Sequence, residues 1–499
     1  LNKGYDVTFA KAPVKVRVKK IVAGNPRYAV LYEPANNDSQ ILVPEEKDGF
    51  IEFSFDIEDA LCVLEWEKYP LSQDINWTKK QNANWFVLGE KLSSAEADAA
   101  AQDMLDKGIN ALLTDKHRYI LYDCDDYDQD TSAPFDNIWQ GRPLRQSVEL
   151  TRNVVDACHK RDMRVIWHTT YCMVSRDLKE RHPDWSQEDL RNQGIPVFFK
   201  MYGGNWNICI NNKDAREAYF KRVAELTKET GVDGWMIDEV EWLPEWYECG
   251  CKTCMEKFTR ETGFVMPTET SSPVHGNYND PIWRAWTTWR MKCCGEFFKD
   301  LREYMDGQGL HDLSYTCCHA GAADTWSGQV WGIDEFELSK GMNLCFYEAY
   351  IGNGAPYFGW KRHLVELDLY GAIARNRTPS IPVLSLFYPR VAEESFFTNA
   401  LTYFAGHRPW VVYSYSAGDF ALTLWERQHQ KLFASGEQKT LANVGLYFSK
   451  PTRDLLGKDE KQENNGSYIN HYANWNINLI ENNVPYQTII TDDIEGDKL

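Results

Sequence analysis

No apolar run in this 499-residue chain reaches the roughly 18 residues that a bilayer-spanning helix needs. Histidine is scarce, at 11 residues, and there is no H-x-H or H-E-x-x-H pattern, which argues against a histidine-ligated catalytic metal. Basic residues are outnumbered 73 to 54, and the net charge of −19 argues against nucleic acid or an anionic membrane as partner. A disulfide framework is also missing. The 13 cysteines are odd in number, and Cys293–Cys294 and Cys317–Cys318 are adjacent pairs, so a mostly reduced protein with some metal-bound thiolates is expected. The opening "LNKGYDVTF" has neither a Met nor a signal-like apolar segment, so the chain is expected to be processed or trimmed, and to be a soluble cytoplasmic or periplasmic protein. Neither an internal repeat nor a low-complexity linker interrupts it.

What is present divides into three patterns. A hydrophobic fraction of 43% supplies a sizeable core, and the length suits a large barrel with one or two satellites. Residues 1–82 read as β, with "VKVRVKKIV", "YAVLYEP" and "FIEFSFDI" separated by turn clusters, and predict a small β-sandwich. From 83 to 437 strands alternate with helices. "NWFVLG", "INALLT", "MRVIWHTTY", "VDGWMI", "LSYTCC", "MNLCFYEAY", "IPVLSLFYP" and "PWVVYSYS" are eight strand candidates. Eight such units with long loops after the strands predict an α/β fold, a (β/α)8 TIM barrel whose active site lies at the strand ends. A doubly wound open sheet is the structural alternative. Residues 438–499 read as β-α-β, the start of a flavodoxin-like α/β domain that the chain does not complete.

Two chemistries adjoin in "VDGWMIDEVEWLPEWYECGCKTCMEKF". Asp238 and Glu239 end the fourth strand, where a carboxylate is costly unless solvated, paired or used. His168 on strand three, His319 after strand five, and Tyr347, Glu348 and Tyr350 on strand six occupy matching ends. Trp206 and Trp242 lie in neighbouring loops, placed to stack on flat, partly apolar rings such as sugars; plain core packing is the competing reading. A polar, aromatic-rimmed ring of this type suits glycoside hydrolysis, which needs two carboxyl groups flanking the bond, about 5 Å apart in the retaining case. Glu239 with Glu348 is the leading pair. Asp238 as nucleophile with Glu348 as acid is a second arrangement. A third has Asp238 orienting a substrate acetamido group while Glu239 donates the proton. A non-catalytic carbohydrate-binding barrel is the alternative from another class.

Cys249, Cys251 and Cys254 form C-x-C-x-x-C, and a structural zinc takes four thiolate or imidazole ligands. Cys209, just before the helix that leads into strand four, is the candidate fourth, and reduced free thiols are the competing reading of the cluster.

The carboxylate pair on strand four, the cysteine triplet ten residues later and the tail "NVGLYFSKPTRDLL" together resemble the glycoside hydrolase family 42 β-galactosidases, over roughly residues 84–499. The resemblance implies a (β/α)8 barrel, Glu239 as acid/base, a structural zinc on Cys209, Cys249, Cys251 and Cys254, a saccharide substrate, and a trimer built through the tail. Three features depart from the family. Asp238 stands where the family has Asn, strand seven, "IPVLSLFYPR", carries no acid, and the β domain precedes the barrel. The expected nucleophile therefore moves to Glu348.

Overall fold

The computed structural model describes residues 11–59, 61–66, 77, 82–86, 92–117, 120–121, 144–174, 176–199, 205–243, 246–317, 322–323, 327–344, 360–376, 392–411, 420–433, 442–455 and 466–495.

Two three-stranded antiparallel sheets occupy residues 12–65. Alternation along Phe50–Ile57 turns Ile51, Phe53 and Phe55 to one side, where they meet Val18 of one sheet and Ala29 and Leu31 of the other. This unit is seated on helices from much later in the chain. Leu61 packs with Phe396, Ala400, Tyr403 and Leu422, and the Tyr32 and Trp425 rings meet edge to face with centroids 6.1 Å apart.

Five strands of the next region lie side by side in chain order: β1 (Ala83–Phe86), β2 (Ala111–His117), β3 (Arg164–Thr170), β4 (Gly234–Asp238) and β5 (Ser314–Thr316). Every neighbouring pair is parallel, and the late strand Trp410–Val411 pairs in parallel with β1. Parallel neighbours need crossovers. Here helices α1 (Ser94–Asp106), α2 (Leu144–His159) and α3 (Lys213–Thr230) supply them, with α4 (Lys252–Thr262) and α5 (Pro281–Gly307) between β4 and β5. The sequence signals for these helices match their ends. Ser93 Oγ accepts from the Glu96 N–H while Glu96 Oε2 accepts from the Ser93 N–H at 2.8 Å, a reciprocal cap on α1. Asn212 caps α3, Gly231 ends it with φ 75°, and the predicted face of Tyr219, Val223 and Leu226 is buried.

The sheet's two faces carry different cores. Val165, Trp167, Trp235 and Ile237 pack into the large cluster shared with the helices. The other face presents Ala83, Ala111, Leu113, Ile166 and Met236, which meet Leu344 and Trp410 in a separate apolar cluster. Leu344 lies at the start of the predicted sixth strand; the rest of that strand and all of the seventh lie outside the described residues, as does the eighth beyond Val411.

Near the C-terminus, Val444–Tyr447 pairs in parallel with Tyr486–Ile489, and the helix Gly466–Glu481 connects them, as the pattern predicts. The unit does not stand apart. Phe448, Ile469, Tyr472 and Ile490 share one core with Phe336 and with Leu364, Val365 and Tyr370 of the helix Trp360–Asn376. A buried ionic cluster adds to the joint: Arg453 pairs with Asp334 and Asp454, and Lys450 Nζ lies 3.2 Å from Asp334.

Candidate active site and metal centre

β4 is buried along its whole length and ends on Asp238. A Cβ at Gly234 would fall 2.6 Å from Ser314 Cβ, so this glycine sets how closely β4 lies against β5. By strand alternation Asp238 lies on the same sheet face as Met236, which belongs to the smaller apolar cluster. On β3, His168 stands opposite Met236 and reaches diagonally, placing Nε2 2.7 Å from Asp238 Oδ2. Both side chains are enclosed, with His168 1% exposed. His168, one of the polar groups expected at the strand ends, is thus bound to the carboxylate beside it.

Glu239 leaves the strand. Its φ of 50° lies in the left-handed region, where an L residue is uncommon outside turns and functional sites. Strand alternation therefore does not decide where its side chain goes. The Cys172 N–H donates to the Glu239 carbonyl at 3.1 Å, and the Tyr171 N–H to the Asp238 carbonyl at 3.1 Å, so the segment after β3 holds this turn. Glu239 itself is half-buried.

Of the two tryptophans, Trp206 is half-buried on a short antiparallel sheet, with its ring 5.0 Å from Phe198 and under Lys179 Nζ at 4.6 Å. Trp242 is a correction. It is fully buried, donates its indole N–H to the Arg290 carbonyl at 3.0 Å and stacks on Trp289, so no face of it is open to a sugar. Glu348, His319, Tyr347 and Tyr350 lie outside the described residues.

Glu335 was not anticipated. It is a fully buried carboxyl in the segment after β5. The Cys317 thiol just beyond β5 is pushed up by burial and then by Glu335 and Asp238, so both acids act on the same sulfur. Glu335 lies 19 residues past that strand's end, Thr316, and nothing in the spacing of "IDEFE" points to the site.

The four cysteines converge. Their sulfurs lie within 4.8 Å of one another, all buried, with Cys209 Sγ 3.3 Å from Cys254 Sγ and 3.6 Å from Cys251 Sγ. A tetrahedron of ~2.3 Å zinc–sulfur bonds sets its sulfurs about 3.8 Å apart, so the group fits a tetrahedral thiophilic ion. Burial pushes Cys249 and Cys254 well up, while hydrogen bonds from Cys209, Cys249 and Cys254 hold Cys251 low. Cys251 also stands at the N-cap of α4, where the helix dipole favours a negative sulfur. Gly250 fits between its neighbours because a Cβ there would sit 2.2 Å from Leu190 Cα.

Gln187, fully buried, links this centre to the carboxylate loop. Its Nε2 donates to the Ile208 carbonyl at 3.0 Å and the Glu241 carbonyl at 2.9 Å, and its Oε1 accepts from the Leu243 N–H at 3.1 Å. Across the loop, the buried Arg290 guanidinium donates to the carbonyls of Glu248, Gln329 and Val330.

A family model described as "Hypothetical glycosyl hydrolase 6" matches residues 115–239, from within β2 to Glu239. No curated protein matches the chain. Among solved structures, the beta-galactosidase from Rahnella sp. R3 is similar at 13% identity and TM-score 0.54, covering 85% of this chain and 66% of its own. A GH42 beta-galactosidase from G. stearothermophilus aligns at 11% and 0.57, covering 85% and 67%. Alpha-L-fucosidase isoenzyme 2 from Paenibacillus thiaminolyticus aligns at 14% and 0.53, covering 82% and 57%. The chain thus spans about two thirds or less of these proteins' lengths. At such identities the likeness is one of fold, and the fold is that of glycoside hydrolases.

Proposed function

We propose that this chain is a glycoside hydrolase acting on an oligo- or polysaccharide, with Glu239 as its general acid/base. The observation that carries the reading is the position of Glu239. It follows the C-terminal end of a central parallel strand in a left-handed turn, directly after a carboxylate already engaged by His168. Catalytic groups of β/α barrels sit at such ends. The six paired strands, with first and last adjacent, are ordered as in a closed barrel, and the sixth and seventh predicted strands would complete the eight. The proposed divisions are a β-sandwich at 1–82, the catalytic barrel at 83–437 and a flavodoxin-like, trimerisation-type unit at 438–499.

In this reading Glu239 protonates the glycosidic oxygen as the bond breaks and later takes a proton from the attacking water. Glu348 is the proposed second carboxylate, attacking the sugar carbon in a retaining, β-galactosidase-like reaction. Asp238, oriented by His168, accepts a hydrogen bond from a sugar hydroxyl, and Trp206 is the proposed stacking partner for a ring. Cys209, Cys249, Cys251 and Cys254 would hold a structural zinc. Four sulfurs fill its coordination, so when bound it supplies a cross-link between segments and takes no part in the reaction.

A panel of aryl α- and β-glycosides, galactosides and fucosides included, tests this with wild type beside Glu239→Gln and Glu348→Gln. Cleavage lost in both variants supports the pair, and the first-formed anomer, followed by NMR, assigns retention or inversion. Sugar binding with no cleavage of any substrate would favour the non-catalytic barrel.

A further inference from the structure

We propose that Asn211 and Lys257 form the outer shell that lets the four-cysteine centre hold its metal as four thiolates; the proposal rests on the zinc reading above. A zinc ion with four thiolates carries a net charge of about −2, here in a pocket where every sulfur is buried. That charge needs donors directed at the sulfurs. Asn211 supplies two of them: its backbone N–H donates to Cys209 Sγ at 3.3 Å, and its Nδ2 donates to Cys254 Sγ at 3.3 Å. The Glu188 N–H reaches Cys249 Sγ at 3.4 Å.

The carboxamide is itself held by a cation. Asn211 Oδ1 accepts from Lys257 Nζ at 2.9 Å, while Nδ2 also lies 3.4 Å from the buried Cys293 sulfur. A positive charge on the oxygen end of an amide draws density from its N–H groups and strengthens the bonds they donate. Lys257 follows Cys254 by three residues on α4, so the helix turn that delivers a ligand also delivers the counter-charge. The lysine is largely enclosed, with its side chain 16% exposed, and its ammonium is 3.5 Å from Cys293 Sγ and 2.7 Å from Glu296 Oε2. Glu296 has a second cation, Lys292 at 3.3 Å, which is half-exposed. Glu296 therefore does not depend on Lys257, and removing the lysine leaves that carboxylate paired.

Outer-shell substitutions at metal sites cost about 10- to 100-fold in affinity. The test uses the full chain, with zinc content measured by elemental analysis and zinc release followed with a chelating dye in excess EDTA. Asn211→Ala and Lys257→Met are expected to release zinc about 10- to 100-fold faster than wild type. Lys257→Arg should recover part of the loss, and Lys292→Met should release at the wild-type rate. Far-ultraviolet circular dichroism checks that each variant is folded; if Asn211→Ala is not, Lys257→Met carries the test alone. Wild-type protein holding one zinc, with release unchanged in Lys257→Met, would overturn the proposal. Wild-type protein that binds no zinc would instead overturn the metal reading beneath it.

Discussion

His168 and Asp238 stand on adjacent strands with Nε2 and Oδ2 2.7 Å apart, both buried on the same face of the sheet. A carboxylate bound so closely to an imidazole is oriented before any substrate arrives. In the proposed reading that suits Asp238 to positioning, with proton transfer assigned to Glu239, one residue beyond.

Removing the imidazole should therefore be felt in stability as well as in activity. His168→Phe leaves Asp238 buried without this partner and is expected to cost about 1–3 kcal/mol in urea denaturation. A free energy of unfolding equal to that of wild type would show that the pair contributes nothing to the fold.

The cysteine centre should hold one zinc per chain. Cys209→Ser is expected to lower zinc occupancy as strongly as Cys254→Ser, although Cys209 is 40 residues upstream of the triplet. Loss of metal in Cys254→Ser with full occupancy in Cys209→Ser would remove Cys209 from the ligand set.

Arg453 ties the C-terminal unit to Asp334 inside the protein. Burial acts to raise the Asp334 carboxyl, yet Lys450 and Arg453 together hold it well below the usual carboxylate range. Arg453→Met strands two buried acids, only partly compensated by Lys450, and is expected to destabilise by about 3–5 kcal/mol. A change under roughly 1 kcal/mol would show that the joint rests on the apolar core alone.

At the opposite end of β4, His159 Nε2 lies 2.9 Å from Asp233 Oδ2, and that hydrogen bond raises the imidazole pKa. A raised folded value stabilises the protein fully below the unfolded pKa of about 6.5, and the contribution is lost as pH rises through the folded value. His159→Gln should thus destabilise most near pH ~5.5 and progressively less toward pH ~8.5. A cost that does not change with pH across that window contradicts the assignment.

The sequence is legible where one periodic signal dominates. The Ser93–Glu96 cap and the Tyr219–Val223–Leu226 face form as read, and a strand forms in each of the apolar runs of β1 to β5 among the described residues. The cysteine spacing is similarly direct, because a turn and the start of α4 bring Cys249, Cys251 and Cys254 together, and the α3 cap places Cys209 against them. Long-range packing is not legible in this way. Trp242 sits in polar sequence yet is buried, because the Arg290 carbonyl and Trp289 take up its ring. Glu335 and Gln187 gain their places only when segments distant in sequence meet. The left-handed turn at Glu239 is likewise invisible in "MIDEVEW", where nothing marks a break in strand geometry.

If Glu239 donates a proton to the departing glycosidic oxygen, the effect of replacing it depends on the leaving group. Wild type and Glu239→Gln are compared on one glycone carrying a poor phenolic leaving group and a dinitrophenyl group that needs no protonation. The expected result is a loss of about 10²- to 10⁴-fold in kcat/KM on the poor leaving group and a far smaller loss on the dinitrophenyl glycoside. Equal losses on both substrates, or none on either, would contradict it.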